Sequence, residues 1–139
     1  MKNYFQKFAA AIAMGGSLAL AGSGVAVAAD GEEKKAPQIE GLYVLTVSTD
    51  DGRSFNEVLV CPADLSTHPS ATTACEQLAR AKGDIGRIPA RGGVCTMEYV
   101  PADFDAIGVW KGKLHLYSDT FSNPCVGLNE TGGAVFDFM

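Results

Sequence analysis

Val94-Cys95-Thr96-Met97-Glu98-Tyr99-Val100-Pro101 is the stretch on which the reading of this chain turns. It follows the pair Gly92-Gly93 and stops at a proline, with a cysteine near one end and a methionine beside a glutamate in the middle. Two readings compete. One is a core strand with Met97 buried. The other is a loop held out as bait, since packing gives no reason to place Met97 in a loop next to Glu98. The remaining cysteines bear on the choice.

All four of them, Cys61, Cys75, Cys95 and Cys125, lie after an N-terminal segment that reads as a secretory signal. Lys2 and Lys7 supply a positive start, Phe8 to Ala21 is apolar and small, and Val25-Ala26-Val27-Ala28-Ala29 offers a small-residue cleavage site. The apolar run falls short of the roughly 20 residues of a membrane span. Residues 1–29 are therefore expected to be removed after Ala28 or Ala29, leaving one domain of about 110 residues, exported and extracellular. An even cysteine count in an exported chain reads as disulfides. Four allow three pairings. There is no Cys-x-x-Cys, so redox and zinc-ribbon readings lose their main support, and neither a metal nor a cofactor is expected.

The formal charge of −5 becomes −7 once Lys2 and Lys7 are lost, and no basic cluster survives to track a phosphate backbone. Nucleic acid is a poor partner on that count, and no second apolar run is long enough for a membrane anchor.

Residues 30–40 open on the charged run Asp30 to Gln38, which lacks apolar periodicity and reads as a disordered tail. Residues 41–139 form the expected domain. Leu42 to Val47 is β-branched and aromatic, a strand apolar on both sides, and Asp50-Asp51-Gly52 is a turn into a returning strand, Phe55 to Cys61. Ala71, Ala74, Cys75, Leu78 and Ala79 recur at helical spacing, with Pro69 in the first turn, Thr67 as a cap and Gly83 as the stop. Ile85 to Gly93 is a long Gly/Pro-rich connection. Phe104 to Trp110, the Lys111-Gly112 turn and Lys113 to Phe121 make a second hairpin, Ser122 to Cys125 ends it, and Ala134 to Phe138 reads as a last strand. The class is α+β: a five-stranded antiparallel sheet with one main helix and a short second helix or turn.

This order favours one pairing. Cys61 closes a strand just before the helix, and Cys75 sits on that helix's apolar face. Joining them staples helix to strand, worth roughly 3 kcal/mol by loop entropy. Cys95–Cys125 then pins one side of the Met97 segment to the end of a strand, holding it extended and convex. A loop already fixed in its bound shape avoids most of the ordering cost of binding.

An enzyme would need a nucleophile and a base. His68, before Pro69 at a helix start, reads as capping or packing, and His115, in a lysine-containing hairpin, as solvated. With every cysteine bridged no thiol remains, and no carboxylate pair has acid–base spacing, so no catalytic residues are assigned. Asn129-Glu130-Thr131 fits the glycosylation acceptor pattern, and Trp110 reads as core.

From Val44 onward the chain resembles the Streptomyces subtilisin inhibitor family. Thr67-His68-Pro69, Cys75, Gly83-Asp84, Val94-Cys95-x-Met97, Tyr99-x-Pro101, Gly108-Val109-Trp110-x-Gly112, Phe121-Ser122-Asn123-x-Cys125 and Val135-Phe136-x-Phe138 carry the likeness, in order. The resemblance implies an α+β sandwich with a five-stranded sheet, the same cysteine pairing, homodimers through the sheet face, and inhibition of subtilisin-like or chymotrypsin-like serine proteases by a substrate-like loop. Met97 matches the residue that enters the protease's primary pocket, Met97–Glu98 the reactive bond, and Thr96, Cys95 and Val94 the preceding positions. Tyr99 and Val100 lie on the leaving side, and Asn123 matches an asparagine that braces the loop. Glu98 departs from a more usual uncharged residue, Thr96 from a frequent proline, and Ile107 from an aspartate, the last affecting packing near Trp110. The rival on the same fold is a secreted binding protein, a transglutaminase substrate cross-linked at Gln38, Lys34 or Lys35, or a metalloprotease inhibitor.

Overall fold

The computed structural model describes residues 35–139. The signal segment 1–29, the start of the tail and Lys34 lie outside the described residues. Four strands, β1 (Gly41–Thr49), β2 (Ser54–Cys61), β3 (Ala102–Trp110) and β4 (Lys113–Phe121), form one antiparallel sheet in the order β2-β1-β3-β4. Two helices, α1 (Ala71–Arg80) and α2 (Pro124–Glu130), complete it.

Each hairpin turn follows from its residues. Gly52 takes φ 85° between β1 and β2, and Lys111 and Gly112 both take positive φ, 47° and 81°, as a two-residue turn between twisted strands demands. Period-two alternation sends Tyr43, Leu45, Val47, Leu59, Phe104 and Trp110 inward against Ala71, Ala74 and Leu78 of α1. Across the β1–β3 ladder two large rings each meet a glycine: Tyr43 pairs with Gly108, and Trp110 with Gly41. A Cβ on Gly108 would lie 2.2 Å from the Tyr43 ring, so the ring's bulk requires a bare backbone opposite. Trp110 is thus core, as expected.

Nothing among the described residues covers the opposite face of the sheet. Val60, Leu42, Val109 and Leu114 lie in one row across the four strands, and Val58, Val44, Ile107 and Leu116 in the next. The two rows beyond are polar: Asn56, Thr46, Asp105 and Ser118, then Ser54, Ser48, Asp103 and Thr120. Ile107 therefore points away from Trp110, which is on the inner face, and does not bear on its packing.

The fifth strand expected at Ala134 to Phe138 is absent, so the sheet has four strands. Gly132 and Gly133 take φ 86° and 82° and turn the chain sharply after α2. Ala134, Val135 and Phe136 then plug the core, with Phe136 ring to ring against Phe104 at 4.9 Å. Local turns and the His68 ring satisfy this backbone in place of a ladder: the Val135 carbonyl lies 3.0 Å from His68 Nε2. His68 Nδ1 accepts from the Ser70 backbone N–H at 3.1 Å, so this histidine both caps and packs.

Other details depart from expectation. Helix α1 begins after Ser70, and Thr67 caps nothing; its hydroxyl points to Glu57. Ala79 is exposed and Ala81 is buried in its stead. His115 is half-buried on the inner side of β4, its Nε2 enclosed beside Gly83 and without a hydrogen-bond partner among the described residues. Glu40 is tied on both sides of β1, its N–H donating to the Cys61 carbonyl and its carbonyl accepting from Lys111 N–H at 2.8 and 2.7 Å.

Candidate functional site: the Met97 loop

Residues 91–101 carry no regular secondary structure and arch from the core to the start of β3. Met97 and Val94 are fully exposed, at 101% and 100%, and Tyr99 at 78%. The buried-strand reading of this stretch is therefore excluded. An exposed loop of this length would be mobile by itself, because each unfixed residue retains about 1–2 kcal/mol of backbone entropy. Here the loop is fixed at several points. Arg91 N–H donates to the Asn129 carbonyl at 2.8 Å, and Val100 N–H to the Ser122 carbonyl at 3.0 Å. The Pro101 carbonyl accepts from Asp50 N–H at 3.1 Å. Between these anchors Cys95 is disulfide-bonded to Cys125 in the first turn of α2.

Asn123 does the finest positioning. It is the N-cap of α2, followed by Pro124 in the first helical turn, a pattern set by the helix's orphan N–H groups. Its Oδ1 accepts from Val126 N–H at 3.0 Å, which fixes the amide plane. Its Nδ2 is then aimed outward and donates to two loop carbonyls, Thr96 at 3.2 Å and Glu98 at 2.9 Å. These are the carbonyls on either side of Met97. The Met97 carbonyl itself accepts no hydrogen bond among the described residues. With Asn123 only 6% exposed, its contacts are shielded from competing water, and each is worth about 0.5–1.5 kcal/mol. A hollow of about 370 Å³ lies between the loop, Ser122, Asn123 and Val126. The loop is thus bowed over its support rather than packed down on it.

The fold brings together all the loop residues singled out from sequence, Val94, Cys95, Thr96, Met97, Glu98, Tyr99 and Val100, with Asn123 beneath them. The second bridge, Cys61–Cys75, instead joins β2 to α1 as expected. Sequence reasoning missed the roles of Arg91, Ser122 and Asn129. The Asn123-Pro124 pair was the available signal for a helix start, and that helix carries Asn129 back toward the loop. The Asn-Glu-Thr motif there is no open acceptor: Asn129 is 8% exposed and its amide is turned inward.

The model of the subtilisin inhibitor-like domain family matches residues 41–123. The chain belongs to the subtilisin inhibitor-like family. Three relatives mark its range. A putative serine protease inhibitor of Streptomyces avermitilis is 45% identical over 97 residues, 68% of this chain and 64% of that protein. This chain thus spans just under two thirds of that relative. The subtilisin inhibitor of Streptomyces violaceus is 33% identical over 140 residues, covering 89% of this chain and 96% of that one. Among solved structures, Streptomyces caespitosus sermetstatin in complex with Bacillus licheniformis subtilisin superposes with a TM-score of 0.54 at 28% identity. The superposition covers 70% of this chain and 98% of the other. The family match ends at Asn123, so all of α2 and the C-terminal plug lie beyond it.

Proposed function

We propose that this chain is a secreted inhibitor of subtilisin-like serine proteases, with Met97–Glu98 as its reactive bond. One observation carries the reading: a fully exposed Met97 whose flanking carbonyls are both held by a single buried Asn123. A rigid, convex, substrate-shaped loop binds without an ordering cost. The Met97 side chain fills the protease's primary pocket, worth roughly 1.5–3 kcal/mol by transfer, and suits subtilisin and chymotrypsin-like pockets over trypsin's. The target's serine attacks the Met97 carbonyl, with catalytic residues supplied wholly by the protease. After cleavage, the Cys95 side stays bridged to Cys125, and the Glu98 side stays on Asn123 and Ser122. The new amine therefore remains beside the acyl-enzyme, and religation competes with hydrolysis. Titrating active subtilisin with the purified mature protein should give stoichiometric loss of activity; turnover of the added protein without inhibition would defeat the proposal.

The uncovered sheet face supports a homodimer. Two adjacent apolar rows bordered by two polar ones form a contiguous patch on the sheet face, and contiguous exposed apolar patches mark interfaces. A second copy related by a two-fold axis meets it with the same rows. Sedimentation at micromolar concentration should give a dimer, and a Leu42→Glu variant should be monomeric. A monomeric parent would refute the assignment.

A further inference from the structure

We infer that Asn129 is a second positioning residue of the reactive loop, holding the limb that leads into Met97 as Asn123 holds the bond itself; the inference rests on the loop assignment above. Both asparagines belong to α2, one at its N-cap and one near its other end. Asn129 turns its backbone carbonyl and both polar atoms of its side chain toward the loop. Its backbone carbonyl accepts from Arg91 N–H at 2.8 Å, and its Oδ1 accepts from Arg91 Nη2 at 2.9 Å. Its Nδ2 points at Cys95 Sγ, 3.2 Å away. Residues 91 to 95 are therefore gripped at both ends by one side chain.

What lies between is shaped to fit. Gly92 and Gly93 take φ 73° and 148°, which other residues rarely adopt. A Cβ on Gly93 would come within 2.8 Å of Asn129 Nδ2, so the backbone passes directly over the amide. The Arg91 side chain is pressed onto Gly133, where a Cβ would meet its Cδ and Nε at 2.7 Å. The glycine pairs before the loop and after α2 thus admit one interlocking contact, with Asn129 at its centre.

The role differs from that of Asn123. Asn123 contacts the peptide groups flanking the scissile bond, whereas Asn129 acts through the limb and the bridged cysteine. It should govern how long the loop survives attack more than how tightly it first binds. With the limb loosened, the cleaved carbonyl side drifts from the amine and hydrolysis gains on religation.

The test compares the parent with Asn129→Ala and Asn129→Asp. Excess inhibitor is incubated with catalytic amounts of subtilisin, cleavage at Met97–Glu98 is followed by mass spectrometry, and thermal midpoints are measured alongside. Asn129→Ala should be cleaved at least tenfold faster at a temperature where it is fully folded. Asn129→Asp keeps the size and the Arg91 partner but loses the N–H beneath Cys95, so it should fall between Ala and parent. A lowered midpoint with parent-like cleavage in both variants would reduce Asn129 to a structural residue and overturn the inference. Should the alanine variant not fold, the aspartate variant decides alone by the same criterion. A parent that fails to inhibit would instead overturn the loop assignment, and this inference with it.

Discussion

The two disulfides are chemically alike and sit in opposite surroundings. Cys61 is buried at the end of β2, and its bridge to Cys75 clamps α1 onto the sheet. Cys95–Cys125 lies at the surface, with a fully exposed Val94 next to it in the loop. Their closed loops, 14 and 30 residues of separation, predict similar gains from chain entropy, about 3 and about 4 kcal/mol. Stability therefore does not distinguish them. The difference lies in what each holds: one clamps a helix onto the core, the other fixes a fully exposed loop.

Removing each bridge in turn breaks that comparison most severely. Cys61→Ser with Cys75→Ser should lower stability by about 3 kcal/mol, yet leave inhibition durable wherever the domain remains folded. Cys95→Ser with Cys125→Ser should cost about as much stability, while the protein becomes a substrate cut rapidly between Met97 and Glu98. Denaturant melts and timed proteolysis on the two double variants give both readings. Equal durability in the two would show that the surface bridge is merely structural.

Exposed Met97 sharpens the same contrast, because the loop's chemistry separates from the fold's energetics. Met97→Lys should gain trypsin inhibition with a stability change within about 0.5 kcal/mol, as for an exposed residue. Met97→Asp should lose subtilisin, since the pocket would have to desolvate an unpaired charge. A Met97→Lys protein that is folded yet indifferent to trypsin would sink the assignment.

The core has its own signature at alkaline pH. Burial, aided by Asp84, pushes the Tyr43 phenol up to about 12, and burial with Asp119 and Glu130 does the same for Tyr117. Tyr43 also donates to the Gly83 carbonyl at 2.7 Å. A phenol whose pKa is raised by folding keeps its proton in the native state after the unfolded chain has released it. The stability it contributes is intact below pH 10 and is lost as pH rises toward about 12. Tyr43→Phe should flatten part of that fall in melting temperature, and an unchanged profile would exclude Tyr43 as a cause.

Most of this architecture could be read from the sequence because its signals are local. Alternation marked the four strands, Asp-Gly and Lys-Gly marked the turns, and the spacing of Ala71, Ala74 and Leu78 marked α1. Both bridges followed from where their cysteines fall in that order. The C-terminal run could not be read in this way. An apolar stretch such as Ala134 to Phe138 looks the same whether it pairs as a strand or fills a core. What decides is Gly132-Gly133 turning the chain and His68, 67 residues away, serving its backbone. His115 was misjudged for a related reason: alternation shows that Leu114 and Leu116 share a face, but not that theirs is the open one. In the site, the loop and Asn123 were legible through the family's pattern. Asn129 was not, because its partners Arg91 and Cys95 are 38 and 34 residues distant and only the fold of α2 joins them.

The smallest expected effect concerns Glu98. Its backbone carbonyl is held by Asn123, so replacing the side chain leaves the loop's geometry untouched. Its carboxylate, next to the proposed reactive bond, would have to lose water as a protease closed over it, and that cost would fall on binding alone. Valine suits an extended backbone and carries no charge. Glu98→Val should therefore leave the choice of protease unchanged, leave stability within about 0.5 kcal/mol, and tighten subtilisin binding by about tenfold or less. Inhibition constants measured at low and high salt separate the causes. A gain independent of salt marks relief of desolvation, whereas a gain that fades with salt marks relief of repulsion between charges. If the valine variant instead binds more weakly, the carboxylate meets a basic group on the protease, and Glu98 belongs with Met97 among the residues that select the target.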